Sequence, residues 1–72
     1  MKVWKRNSYE VVERPFDYDL HCFDVIGCGG EVITTIHPTT IDDMLTIIRD
    51  LDTEEDVNGW EDGTGNTIRI PL

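Results

Sequence analysis

No apolar run in this 72-residue chain approaches the ~18 residues needed to cross a bilayer. The opening Met1-Lys2-Val3-Trp4-Lys5-Arg6 has no apolar stretch behind it, as a secretory signal would, so the expected compartment is the cytoplasm. Basic residues are scarce: 6 Lys and Arg stand against 15 Asp and Glu, for a formal net charge of −9. That scarcity argues against direct binding to nucleic acid, whose phosphates call for Lys and Arg. The length leaves room for one domain, residues 1–72, and not for a separate catalytic domain with its own cofactor fold. The chain also has no internal repeat and no low-complexity tail.

Soft metal ligands are equally few. Cys22, Cys28, His21 and His37 are the whole set. A structural zinc site needs four ligands, usually with a C-x₂₋₄-C pair, whereas five residues separate these cysteines. His21 and Cys22, being adjacent, fall on opposite faces of a strand. A Cys22–Cys28 disulfide is geometrically open across a hairpin end, but nothing marks the chain for an oxidising compartment. The plain reading makes Cys22 a small core residue and Cys28 a turn residue. A Cys28–His37 nucleophile pair lacks any surrounding signature, and a sheet with one helix offers little concavity, so no enzymatic activity is expected. Glu54-x-Asp56-x-Asn58-Gly59 matches the first half of a calcium loop. The match fails at the twelfth position, where Gly65 replaces the bidentate Glu. A divalent-cation module is thus a third-ranked reading, and neither metal nor cofactor is expected.

The hydrophobic pattern predicts α+β: a three- to four-stranded, mainly antiparallel sheet with one helix, in the order β-β-β-α-β. Residues 2–13 read as a strand that Pro15 ends. Residues 17–26 read as a second strand whose apolar phase switches near Cys22, through a bulge there or through burial on both faces. Gly27-Cys28-Gly29-Gly30 is a turn. Residues 31–37 are mostly β-branched and complete the hairpin. Residues 40–52 are a helix, capped by Thr39 or Thr40, with Asp42 and Asp43 favoured by the dipole in its first turn. Ile41, Met44, Leu45, Ile48 and Leu51 form its apolar stripe, widened by Ile47. Residues 53–66 read as a loop. Residues 67–71 alternate as a short terminal strand, with the N-terminal strand as one available partner.

Charge is the most informative feature. Residues 1–14 carry +2, residues 15–41 carry −4, and residues 42–62 carry −8. Within that last stretch Asp42, Asp43, Asp50, Asp52, Glu54, Glu55, Asp56, Glu61 and Asp62 are opposed by Arg49 alone. Such a run is either a solvated surface or a surface kept for a cationic partner. Carboxylates at several-ångström intervals imitate the phosphates of nucleic acid, which supplies one charge per ~1.7 Å of duplex axis. Trp60, in the polar and glycine-bounded segment Asn58–Gly63, is either a lid on the core or an apolar anchor amid the acids.

In size, charge and the acidic run 42–62 the chain resembles the very small acidic α/β proteins of phages and mobile elements that block host nucleic-acid enzymes, anti-CRISPR proteins and other DNA mimics among them. The resemblance implies a non-enzymatic inhibitor in the host cytoplasm. It would dock its acidic helix–loop on the basic groove of a nuclease or another nucleic-acid-binding protein. It implies no membrane and no direct contact with nucleic acid. The basic N-terminal strand limits mimicry to one face. The runner-up is a small structural or assembly subunit, such as a homodimer joined through a sheet edge.

Overall fold

A computed structural model describes residues 1–70. Five elements follow in order: β1 (Val3–Lys5), β2 (Tyr9–Asp17), β3 (Leu20–Gly27), β4 (Val32–Ile36) and α1 (Ile41–Asp52). The four strands form one antiparallel sheet in the order β1-β2-β3-β4, so the fold is α+β.

The segment predicted as one strand over 2–13 is two. Asn7-Ser8 is a polar pair that suits a turn, and Arg6 N–H donates to the Tyr9 carbonyl at 2.8 Å to close it. Pro15 does not end β2, which runs on to Asp17. The reason lies in the alternation of backbone groups. Glu13 N–H points toward β1, where it donates to the Lys2 carbonyl at 2.9 Å. The nitrogen of Pro15 therefore faces the same side, beyond the point where β1 begins, and no ladder bond is lost. Tyr18 and Asp19 turn the chain into β3, with Tyr18 at φ 45° and fully exposed.

The phase switch in β3 comes from burial on both faces. Cys22, Phe23, Asp24 and Val25 are all buried in succession, as suits a central strand. Two register shifts accompany the switch, both on the partner strands: Pro15 pairs with His21 and Asp17 with Leu20, which leaves Phe16 extra on β2 close to Cys22, and Val25 pairs with Thr34 and Ile26 with Val32, which leaves Ile33 extra on β4. Ile33 packs against the core with its neighbours. Gly30, at φ 85°, supplies the left-handed position that the β3–β4 turn requires.

Helix α1 begins as its sequence dictates. The Thr40 side chain accepts from Asp43 N–H at 3.1 Å, and Asp42 and Asp43 fill the first turn. It ends in paired bonds, Glu54 N–H to Leu51 O at 3.2 Å and Glu55 N–H to Asp50 O at 3.0 Å. That ending needs a left-handed residue, and Glu54 fills the position at φ 66° where glycine is usual. The inward face is narrower than the predicted stripe. Met44 and Leu51 are buried and Ile47 and Ile48 pack on the core, but Ile41 and Leu45 are exposed.

One sheet face and the helix enclose the core, built on Trp4, Tyr9, Val11, Phe23, Val25, Ile36, Met44 and Leu51. Val57, Ile68 and Ile70 close its open end. The predicted terminal strand 67–71 is a single bridge from Thr67 to Glu61, and Pro71 lies outside the described residues. Its partner is the segment 59–61, not the N-terminal strand: Gly59 N–H donates to Ile68 O at 2.9 Å and Ile68 N–H to Trp60 O at 2.7 Å. Gly59 at φ 95° and the turn at Asp62 bend that partner, so no regular ladder propagates. No helix among the described residues is long and apolar enough to cross a membrane.

Candidate functional site

The nine acids of the run 42–62 separate into two sets. The first set is spent on intramolecular bonds, although Asp52 and Asp56 are themselves exposed and only Asp62 is buried. Asp52 accepts the Trp4 indole N–H at 2.8 Å and the Lys2 ammonium at 3.1 Å. The indole bond, aided by Lys2, holds its carboxyl below the usual range. Asp56 accepts the Tyr9 hydroxyl at 2.9 Å and Asn58 N–H at 2.9 Å. The same Tyr9 oxygen accepts Val57 N–H at 3.1 Å, and burial pushes the Tyr9 hydroxyl pKa up. Arg6 adds bonds to the carbonyls of Leu51 at 3.0 Å and Glu55 at 3.1 Å, a cation at the negative end of the helix. The basic N-terminal strand is thereby explained. It clamps the end of α1 and the loop that follows.

Asp62 is the most heavily bonded acid of the run. Its Oδ1 accepts from Thr64 Oγ1 at 2.7 Å, Thr64 N–H at 2.8 Å and Asn66 N–H at 3.3 Å. Its Oδ2 accepts from the Thr34 hydroxyl on β4 at 3.3 Å. These bonds, led by the Thr64 hydroxyl, lower its carboxyl pKa. The carbonyl of Asp62 also accepts His37 N–H at 2.8 Å. The loop thus straps the outer edge of β4, a strand that carries no charge of its own.

The second set faces outward. Asp42, Asp43, Glu54, Glu55 and Glu61 are exposed, and Asp50 is half-buried with Arg49 at 3.5 Å. Asp43 accepts weakly from the Thr39 hydroxyl at 3.3 Å. Among the described residues Asp42, Glu54, Glu55 and Glu61 have no side-chain bond or ion pair. They form two clusters and not one stripe. The ten residue steps from Asp42 to Asp52 span ~15 Å of helix. At the N-terminal end Asp43 and Glu61 line one cleft of about 350 Å³, walled by Ile36, Pro38 and Ile47. At the other end Glu54 and Asp56 line a second cleft with Arg6 and Ser8. Trp60 is half-buried with its body on the core, so it acts as the core's lid and exposes only part of its ring.

Two further acids are held in the sheet. Glu13 is buried on the helix face. Its Oε2 lies 2.7 Å from His21 Nδ1, and its Oε1 accepts Lys2 N–H at 3.1 Å. Burial alone would raise its pKa, but the His21 and Lys2 bonds outweigh that and lower it. On the opposite face Asp24 accepts two bonds from the Arg14 guanidinium and one from the Thr35 hydroxyl at 2.8 Å. The Asp24 bonds hold the Arg14 pKa above its usual value.

The other candidate chemistries are not assembled. Cys28 sits in the turn before β4 and His37 just beyond its far end, so the two are a strand length apart. Cys22 and Cys28 are free thiols, one buried in β3 and one exposed, with Cys28 Sγ donating to Ser8 O at 3.2 Å. Within the calcium-like segment, Asp56 is bonded to Tyr9 and Asn58, and Asn58 Oδ1 accepts Ile70 N–H at 3.1 Å. Those oxygens serve the loop itself. Among the described residues no group of three or more His, Cys, Asp or Glu is placed to hold a metal ion.

No family model, no curated protein and no solved structure matches this chain. The functional reading therefore rests on the residues alone. Sequence reasoning missed the clamp of Lys2, Trp4, Arg6 and Tyr9 because its partners lie 45–50 positions away. It also missed the Asp62 turn, although Asp-Gly-Thr-Gly-Asn is a readable signal: a short acceptor side chain two residues before an N–H in a glycine-rich segment.

Proposed function

We propose that this chain is a non-enzymatic binding protein, an inhibitor of the DNA-mimic type, which acts in the cytoplasm of the cell it enters. Its acidic helix–loop side occupies the basic groove of a nuclease or a similar nucleic-acid-binding protein. One observation carries the reading. Asp42, Asp43, Asp50, Glu54, Glu55 and Glu61 stay at the surface around α1, while Lys2 and Arg6 are drawn into bonds elsewhere in the chain and Arg49, 3.5 Å from Asp50, is the one cation on the helix itself. The outward field is therefore negative, and a Lys- or Arg-lined groove is its complement. The two clusters, one at each end of the helix, would meet two separate groups of cations along that groove. Trp60, next to Glu61, adds the exposed part of its ring as an apolar anchor.

The test is a competition. Binding to a basic nucleic-acid-binding effector should be displaced by duplex DNA and should weaken steeply with added salt. Neutralising the outward set by Asp42→Asn, Glu54→Gln, Glu55→Gln and Glu61→Gln should lower affinity about tenfold or more. The same four changes should move folding stability by no more than ~0.5 kcal/mol. A salt-independent interaction, or one that duplex DNA does not compete with, would remove the electrostatic mechanism.

A further inference from the structure

The helix covers one face of the sheet and leaves the other bare of any helix, although Cys22 and Asp24 of the central strand are buried there among their neighbours. Strand register defines what that bare face carries. Val3, Val12, Asp24 and Thr35 pair in one row across the four strands. Lys5, Glu10, Ile26 and Val32 pair in the next. Arg14 and Cys22 pair beside them. Two features of this face stand out. Its valines at the edge strands are open to solvent, Val3 at 50% and Val32 at 57%. Its charges cancel: Lys5 and Arg14 balance Glu10 and Asp24, and Asp24 is already bonded to Arg14. On a chain of net charge −9, this is a neutral, apolar-bearing side.

We infer that the bare sheet face is a docking surface for a second copy of the same chain, packed sheet on sheet. Charge selects the occupant. Two molecules of −9 repel each other through any acidic surface, so self-association is restricted to the side where the charges cancel. Equal numbers of each sign in adjacent rows also let a two-fold-related copy set plus against minus. A basic partner, by contrast, would gain nothing there. Area sets the strength. Strands of 3, 9, 8 and 5 residues at ~3.3 Å per residue and ~4.8 Å spacing give a face on the order of 400 Å² in projection. Standard interfaces bury about 800 Å² per partner, so the dimer is a weak, reversible one and not an obligate one. The sheet edges are poor alternatives. The Asp62 loop straps β4, and β1 is three residues long beside Lys2 and ends in Lys5. The inference is independent of the proposed inhibitory role.

Sedimentation of the full chain over a concentration series up to about 1 mM, at about 50 and about 500 mM salt, tests it. The expected result is a monomer–dimer equilibrium that tightens several-fold as salt rises, because screening relieves the repulsion between two −9 particles. Val32→Glu and Val3→Glu, both at solvent-exposed positions, should raise the dissociation constant about tenfold or more while circular dichroism stays native. Leu45→Glu, on the helix side and 54% exposed, adds the same charge and should change it by no more than about two-fold. A chain that stays monomeric at high salt overturns the inference. So does a dimer that salt weakens, or one that Leu45→Glu disrupts as strongly as Val32→Glu.

Discussion

Asp52 and Glu54 are two positions apart and have opposite fates. Asp52 receives an indole N–H and an ammonium from the first strand. Glu54, two residues later, stands at φ 66° in solvent with no side-chain partner among the described residues. Asp56 and Asp62 side with Asp52, and Glu55 and Glu61 with Glu54. The density of acids along a sequence therefore does not measure the charge a surface offers. What decides is whether the fold carries a distant donor to each carboxylate. About a third of the run is structural, and the −8 of residues 42–62 overstates the field that a partner meets.

The sharpest way to break this division is Asp62→Ala. It strips the acceptor from Thr64 N–H, Asn66 N–H and the Thr34 hydroxyl at once, and it frees the strap over β4. The thermal midpoint should fall by roughly 5–15 °C, read by circular dichroism. A midpoint equal to that of the outward-set variant would erase the distinction between the sets. Acid is the next probe. Asp52, Asp62 and Glu13 have folded pKa values below their ordinary ones, so near pH 4 the folded state binds fewer protons than the unfolded chain. Their contribution is complete above the ordinary carboxyl range and is lost as pH falls through the lowered values. Stability should be level from about pH 7 to 5 and decline below about pH 4. Asp62→Asn should make that decline shallower. The smallest of these effects belongs to Tyr9→Phe. It leaves the buried Val57 N–H without its acceptor and Asp56 without the hydroxyl, and it should cost about 1 kcal/mol in a urea titration. A neutral result would place water, and not Tyr9, at the centre of the clamp.

The local features of the fold were legible. Three glycines around Cys28 specified the β3–β4 turn, and Thr40 followed by two aspartates specified the start of α1. The helix end was less so, because the left-handed position fell to Glu54 where a glycine would have announced it. Pro15 suggested a stop that the open ladder beyond β1 made unnecessary. Ile41 and Leu45 fitted the helical period, yet the core, small and closed by Met44 and Leu51, had no room for them. At the site, the identity of the acids was readable and their roles were not. The donors to Asp52 and Asp56 come from residues 2–9, and no local pattern links the two ends of that contact.

The clamp has a consequence for how the chain reaches its native state. Trp4 to Asp52, Arg6 to Leu51 and Tyr9 to Asp56 are bridges over separations of 45 to 48 residues in a chain of 72. Each requires the sheet's first strand and the helix's last turn to find one another after nearly everything between them has been ordered. The hairpins form by short closures, so the contacts between the first residues and the end of α1 are the non-local ones, and non-local contacts slow folding. The chain therefore folds more slowly than its hairpins and helix alone would, because its beginning must grip its far third.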